Sequence, residues 1–148
     1  MAILEDIKIL TGKKPVIEQP VETPEPAKKV LIVEDEEALA NALEDKFKAE
    51  GFQIEKAENG ELGLEKAKAF KPDVILLDLL MPIMDGKTML FKLRAIDEFK
   101  HLPVVVLTNN GEIENIRDTQ FYNNAVEFLI KSNVSLEDIV KRVKYNTY

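Results

Sequence analysis

Short, wholly apolar runs and amphipathic stretches alternate along the chain from residue 28 onward. Lys29-Val30-Leu31-Ile32-Val33 reads as a buried strand. Ala38, Leu39, Ala42, Leu43 and Phe47 then recur at helical spacing, and Gly51 stops that predicted helix. Residues 52–57, FQIEKA, alternate in polarity as a half-exposed edge strand does. Asn59-Gly60 opens a second helix carrying Leu62, Leu64, Ala67 and Phe70. Val74-Ile75-Leu76-Leu77 is another buried strand, and residues 86–98 give a third helix with Met89, Leu90, Leu93 and Ile96 inward. Pro103 opens the strand Val104-Val105-Val106-Leu107. A polar helix over 112–123, the weakest of the set, and a strand over 126–130 follow. Ser135 caps a final helix, with Glu137 and Asp138 in its first turn and Leu136, Ile139, Val140 and Val143 inward.

Five strand-helix pairs imply an α/β fold. Apolar strands separated by single helices pair in parallel, with helices on both faces, and right-handed crossovers leave a doubly wound five-stranded parallel sheet. Ahead of this region the pattern changes. Four of the seven prolines fall between Pro15 and Pro26, so residues 12–27 read as an extended linker. Ile3, Leu4, Ile7 and Leu10 fall on one face of a possible short helix before it. The expected division is an N-terminal extension over 1–27 and one domain over 28–148.

Composition narrows the function. The 148 residues carry 20 basic and 27 acidic side chains, a net charge of −7, which disfavours electrostatic capture of nucleic acid or anionic lipid. With no cysteine there are no disulfides, thiolate metal sites or cysteine nucleophiles, which suits a reducing compartment. No apolar run approaches the roughly 18 residues of a membrane span, and no secretory signal opens the chain; a cytoplasmic protein is expected.

Parallel α/β sheets bind ligands beyond the carboxyl ends of their strands. The first strand ends in Glu34-Asp35-Glu36, the third in Asp78, the fourth in Thr108 and the fifth in Lys131. An acidic run after a strand is ordinarily a stabilised helix N-terminus, which suits Glu36 and Glu37. Asp78 resists that explanation, because it follows four apolar residues directly and a buried charge without a partner is costly. Carboxylates converging on one rim want a cation, and oxygen-only ligands favour magnesium or a similar hard ion. His101 has no second ligand nearby in sequence and reads as a loop residue, while Gly60-Glu61-Leu62-Gly63 follows the strand with no reactive end.

The stretch Pro72-Asp73-Val74-Ile75-Leu76-Leu77-Asp78-Leu79-Leu80-Met81-Pro82-Ile83-Met84-Asp85-Gly86 resembles the phosphoacceptor motif PDxxxxDxxMPxMDG of two-component response regulator receiver domains, position by position. Ala57-Glu58-Asn59-Gly60-Glu61 is similar to the same family, and the resemblance covers residues 29 to about 146. It implies the flavodoxin-like strand order 2-1-3-4-5 with five helices on two faces. It also implies roles. Asp78 is the nucleophile phosphorylated by a phosphohistidine donor. Asp35 is a direct Mg2+ ligand, Glu34 acts mostly through water, and Asp78 and the Leu80 carbonyl complete the protein ligands. Lys131 neutralises the arriving phosphoryl oxygens. Thr108 is the switch hydroxyl and Phe128 the switch aromatic.

There are departures. Ser132 follows Lys131 where most of the family has proline, Asn109 follows Thr108 where a small residue is usual, and Asn124-Ala125 replaces Gly-Ala. Leu80 also stands where dehalogenase-type phosphatases carry a second aspartate, which argues against an autonomous phosphatase. The expected protein is thus a phosphorylation-controlled switch rather than a turnover enzyme, partnered by a histidine kinase or histidine phosphotransfer protein and by a downstream protein. A phosphorylation-dependent homodimer is a further expected partner; nucleic acid and membrane are not. No output domain is expected within residues 28–148, so a single-domain regulator, a phosphorelay carrier or a fragment is expected. The rival class is a receiver-like docking module that works without phosphorylation. Leu80 and Asn110, two residues after the phosphoacceptor and the switch hydroxyl, together with the bulk of Asn109, imply slow loss of the phosphoryl group.

Overall fold

The computed structural model describes residues 26–109 and 124–148. Five strands, β1 (Lys29–Val33), β2 (Gln53–Ala57), β3 (Val74–Asp78), β4 (Val104–Thr108) and β5 (Glu127–Ile130), form one sheet in the order β2-β1-β3-β4-β5. Every neighbouring pair is parallel. The α-helices among the described residues are α1 (Glu37–Ala49), α2 (Gly60–Phe70), α3 (Gly86–Arg94) and α4 (Leu136–Thr147). The helix expected over 112–123, the apolar face of residues 3–10 and the linker up to residue 25 lie outside the described residues.

The alternation of strand side chains divides the core in two. Leu31, Val33, Ile75, Leu77, Val104 and Val106 point to the face covered by α2 and α3, where Ala67, Met89, Leu90 and Leu93 meet them. Val30, Ile32, Val74, Leu76, Val105 and Leu107 point to the opposite face, against Leu43 and Phe47 of α1 and Ile139, Val140 and Val143 of α4. A strand buried on both faces must be apolar at every position, hence the unbroken Val/Ile/Leu runs of β1, β3 and β4. β2 lies at an edge and keeps its polar alternation.

Three expected boundaries shift for local reasons. Helix α3 ends at Arg94, not near residue 98, and the 3-10 turn Asp97–Phe99 follows it. Ala95 and Ile96 donate to carbonyls three residues back, which tightens the chain and sends Phe99 into the core, so the apolar rhythm outlasts the helix. β2 begins at Gln53, because the Phe52 N–H returns to the Phe47 carbonyl (3.1 Å) instead of joining the ladder. β5 begins at Glu127, one residue later than expected. The helix starts follow the sequence. Asn59, Asp85 and Ser135 cap α2, α3 and α4 through side-chain oxygens, and Ser135 and Asp138 close a capping box.

The chain reverses its direction across the sheet between β1 and β3. The carboxyl ends of these two strands therefore flank a switch-point crevice, the usual ligand position of such sheets.

Candidate functional site

Backbone pairing places the acidic residues at this crevice. The Glu34 N–H donates to the Ala57 carbonyl (2.9 Å), extending the β1–β2 ladder by one step and holding the Glu34 side chain inward. Asp78 is the last residue of β3, opposite Leu107 in register. Both carboxylates are buried, whereas Asp35 is exposed. Oxygens of Glu34, Asp35 and Asp78 all come within 4.8 Å of one another. Lys131 follows β5 and reaches across β4, setting its Nζ 3.2 Å from Glu34 Oε1 and 3.4 Å from Asp78 Oδ2. The family-typical proline is absent there; Ser132 instead sits in the 3-10 turn Lys131–Asn133, joined to Lys131 by a trans peptide bond.

Thr108 ends β4 between these groups and is buried; its hydroxyl donates to the Asn109 carbonyl (3.2 Å) rather than to a carboxylate. Phe128 is half-buried against the α2/α3 side of the core. Leu80 is 53% exposed on the loop after β3. Asn110 lies outside the described residues. Among the described residues, then, Glu34, Asp35, Asp78 and Lys131 form one cluster, while Thr108 makes its hydrogen bond outside it.

The cluster is electrostatically tense. Burial pushes the Glu34 carboxyl up to about 7; the Glu36 N–H opposes this, the Asp78 charge adds to it, and Lys131 opposes it. Burial likewise raises Asp78, against the pull of Lys131. Burial alone would lower the Lys131 ammonium, but Asp78 and Glu34 outweigh it and hold it above its ordinary value. Glu34 Oε2 accepts from the Glu36 N–H (3.0 Å). Its partner Oε1 lies within ion-pair distance of Lys131 but out of hydrogen-bond alignment, and is the single buried side-chain polar atom among the described residues without a hydrogen bond. When ionised, three carboxylates against one ammonium leave an excess of two negative charges. An all-oxygen set with that excess, in which buried Glu34 Oε1 is met only by the Lys131 ammonium, fits a hard divalent cation such as Mg2+.

The loop after Asp78 is held close. The Gly86 N–H donates to the Leu79 carbonyl (2.8 Å), and a Cβ on Gly86 would stand 2.2 Å from the Asp78 carbonyl oxygen, so only glycine fits. Inside the loop Ile83 has φ +70°, a conformation that costs a non-glycine residue on the order of 1–3 kcal/mol. The motif displays Gly86 in sequence, but the contact that requires it appears only when the loop closes.

These features define a class of protein, and the comparisons agree with it. Residues 30–144 match the family model of the response regulator receiver domain, and the chain belongs to that family. It is 37% identical over 115 residues to the transcriptional regulatory protein SrrA of Staphylococcus aureus; the match takes in 78% of this chain and 46% of SrrA, so the chain spans about half the length of that relative. Among solved structures it is similar to the response regulator TrrA of Thermotoga maritima in complex with Mg2+ and BeF, with 28% identity, a TM-score of 0.68, and 80% of this chain and 98% of that one covered. The chemotaxis response regulator CheY4 of Vibrio cholerae is similar at 26% identity and a TM-score of 0.72, over 81% of this chain and 98% of that one. Receiver domains are phosphorylation-controlled switches of two-component signalling. Among the described residues no helix is long and apolar enough to cross a membrane.

Proposed function

We propose that this domain takes a phosphoryl group from a phosphohistidine donor onto Asp78 and signals the change, as a cytoplasmic switch, through protein contacts. The observation that carries this reading is the seating of Lys131 Nζ 3.4 Å from Asp78 Oδ2 and 3.2 Å from Glu34 Oε1. An Asp78 oxygen attacks phosphorus, the bond from phosphorus to the donor's imidazole nitrogen breaks, and that nitrogen leaves with the electron pair. Lys131 faces the charge carried in with the phosphoryl oxygens. Glu34, Asp35, Asp78 and the Leu80 carbonyl would hold Mg2+, which when bound neutralises charge on the transferring group. Glu34 is buried and its oxygen comes within 4.8 Å of those of Asp35 and Asp78, close enough for the proposed part in cation binding, mostly through water. That TrrA binds Mg2+ and BeF supports the same chemistry here. Magnesium-dependent labelling by acetyl phosphate tests the reading: uptake in magnesium and none in excess chelator is expected, and no uptake in either overturns it.

Thr108 is the proposed switch hydroxyl, turning from the Asn109 carbonyl toward the phosphoryl group, with Phe128 relaying the change along β5. The readers of that change are a downstream protein partner or a second copy of the phosphorylated domain. Residues 28–148 are proposed to be the folding unit, with residues 1–27 an extension that it does not require.

A further inference from the structure

We propose that the first turn of α2 is a fixed stop for the loop that follows the phosphoacceptor, with Gly60 as its positioning residue. The inference rests on the reading of Asp78 and the acidic cluster given above. The loop's two ends are tied to each other by the Gly86–Leu79 hydrogen bond, which leaves its middle to be held from outside. Gly60 is the first residue of α2, and its N–H is one of the donors that a helix start leaves unpaired. That N–H donates to the Met84 carbonyl (2.9 Å), while the Asn59 side chain takes the Leu62 N–H (2.8 Å). The partial positive charge of the helix start thus faces the carbonyl it holds. Met84 also donates its own N–H to the Pro82 carbonyl (2.7 Å), closing a three-residue turn around Ile83. A β-branched residue at φ +70° persists only where its surroundings impose it, and the bond from Gly60 pins one end of that turn.

Space makes the stop rigid. A Cβ on Gly60 would fall 2.6 Å from the Met84 carbonyl oxygen and 3.1 Å from that of Asp85. These are backbone atoms, so the loop itself must move. Gly63, almost one turn further along, is a built-in control. A Cβ there would meet Met89 Sδ at 2.8 Å, Met89 Cε at 3.0 Å and Val33 Cγ1 at 3.2 Å, all of them side-chain atoms in the core, so side chains rather than the loop backbone would have to give.

The test titrates magnesium into the full chain, as wild type, Gly60→Ala and Gly63→Ala, and records the melting temperature of each. Gly60→Ala should weaken magnesium binding by about tenfold and slow acetyl phosphate labelling in step, whereas Gly63→Ala should keep wild-type affinity even where it melts lower. A folded Gly60→Ala with wild-type affinity, or an equal loss in Gly63→Ala, overturns the stop. If Gly60→Ala fails to fold, amide exchange in the wild type decides. The Gly60 N–H should exchange at least about tenfold more slowly than in an unstructured chain and slow further with magnesium; an unprotected amide overturns the proposal. A wild type that takes no phosphoryl label but keeps this order of affinities overturns the Asp78 reading and leaves the stop standing. A wild type that binds no magnesium overturns both.

Discussion

Glu34 and Glu127 are both glutamates at the ends of strands, and they are treated in opposite ways. Glu127, at the start of β5, accepts from Arg142 Nε (2.6 Å), Arg142 Nη2 (3.1 Å) and Asn146 Nδ2 (2.9 Å). Its side chain is 21% exposed, so water serves what the protein does not. Glu34, just beyond β1, has a side chain 1% exposed, one carboxylate oxygen with no hydrogen bond, and two other acids within reach. A carboxylate that only holds structure together has its acceptors filled. At the rim around Glu34 one buried acceptor is met only by the ion pair to Lys131 and negative charge stays in excess, a cost that suits the cation and phosphoryl group proposed to bind there.

Changes on the Glu34 side should alter chemistry, and changes on the Glu127 side should alter only stability. The largest expected effect is from Asp78→Asn, which should abolish phosphoryl uptake, read by intact mass, without lowering the melting temperature, because a buried charge next to Glu34 is removed. Next comes pH. Glu34 holds its proton up to about 7, so magnesium must displace that proton below neutrality. Affinity measured by calorimetry should fall about tenfold per pH unit below 7 and level off above it. The cation-free domain should behave in the opposite sense. The folded value lies above the ordinary 4.5, so the contribution of Glu34 to stability is fully present below about pH 4.5 and is lost as pH rises through about 7.

A smaller effect separates the two glutamates directly. Glu34→Gln should stabilise the cation-free domain at pH 8 by on the order of 1 kcal/mol, allowing for screening at the rim, and should weaken magnesium binding. Glu127→Gln should lower the melting temperature and leave magnesium affinity unchanged. If both substitutions act alike in urea and magnesium titrations, the contrast fails. The smallest effect concerns Leu80, an exposed apolar side chain beside the acceptor that cannot orient water. Leu80→Asn should hasten decay of the phosphorylated protein several-fold, and an unchanged decay rate would remove Leu80 from the grounds for expecting slow loss.

Much of this was readable from the residues. Unbroken apolar runs mark β1, β3 and β4 because those strands are buried on both faces; the proposed site residues Glu34, Asp35, Asp78 and Thr108 stand at their carboxyl ends and Lys131 just past β5, on the one rim where a parallel sheet brings those ends together. What the sequence hides is what depends on approach. The grip of Gly60 on Met84 joins residues distant in the chain, and nothing in either segment announces it. The early end of α3 is hidden because Ile96 and Phe99 stay apolar in a 3-10 turn as they would in a helix. Nor does the acidic run after β1 reveal which member is buried. The ladder bond from Glu34 to Ala57 turns Glu34 inward, while Asp35 remains exposed.

The most direct test is to locate the phosphoryl group. Protein labelled with acetyl phosphate in magnesium would be trapped by borohydride reduction and mapped by peptide mass spectrometry. Modification at Asp78 alone, lost in chelator, is the expected result. Modification at Glu34 or Asp35, or labelling that survives in Asp78→Asn, would show that the acceptor lies elsewhere on the rim.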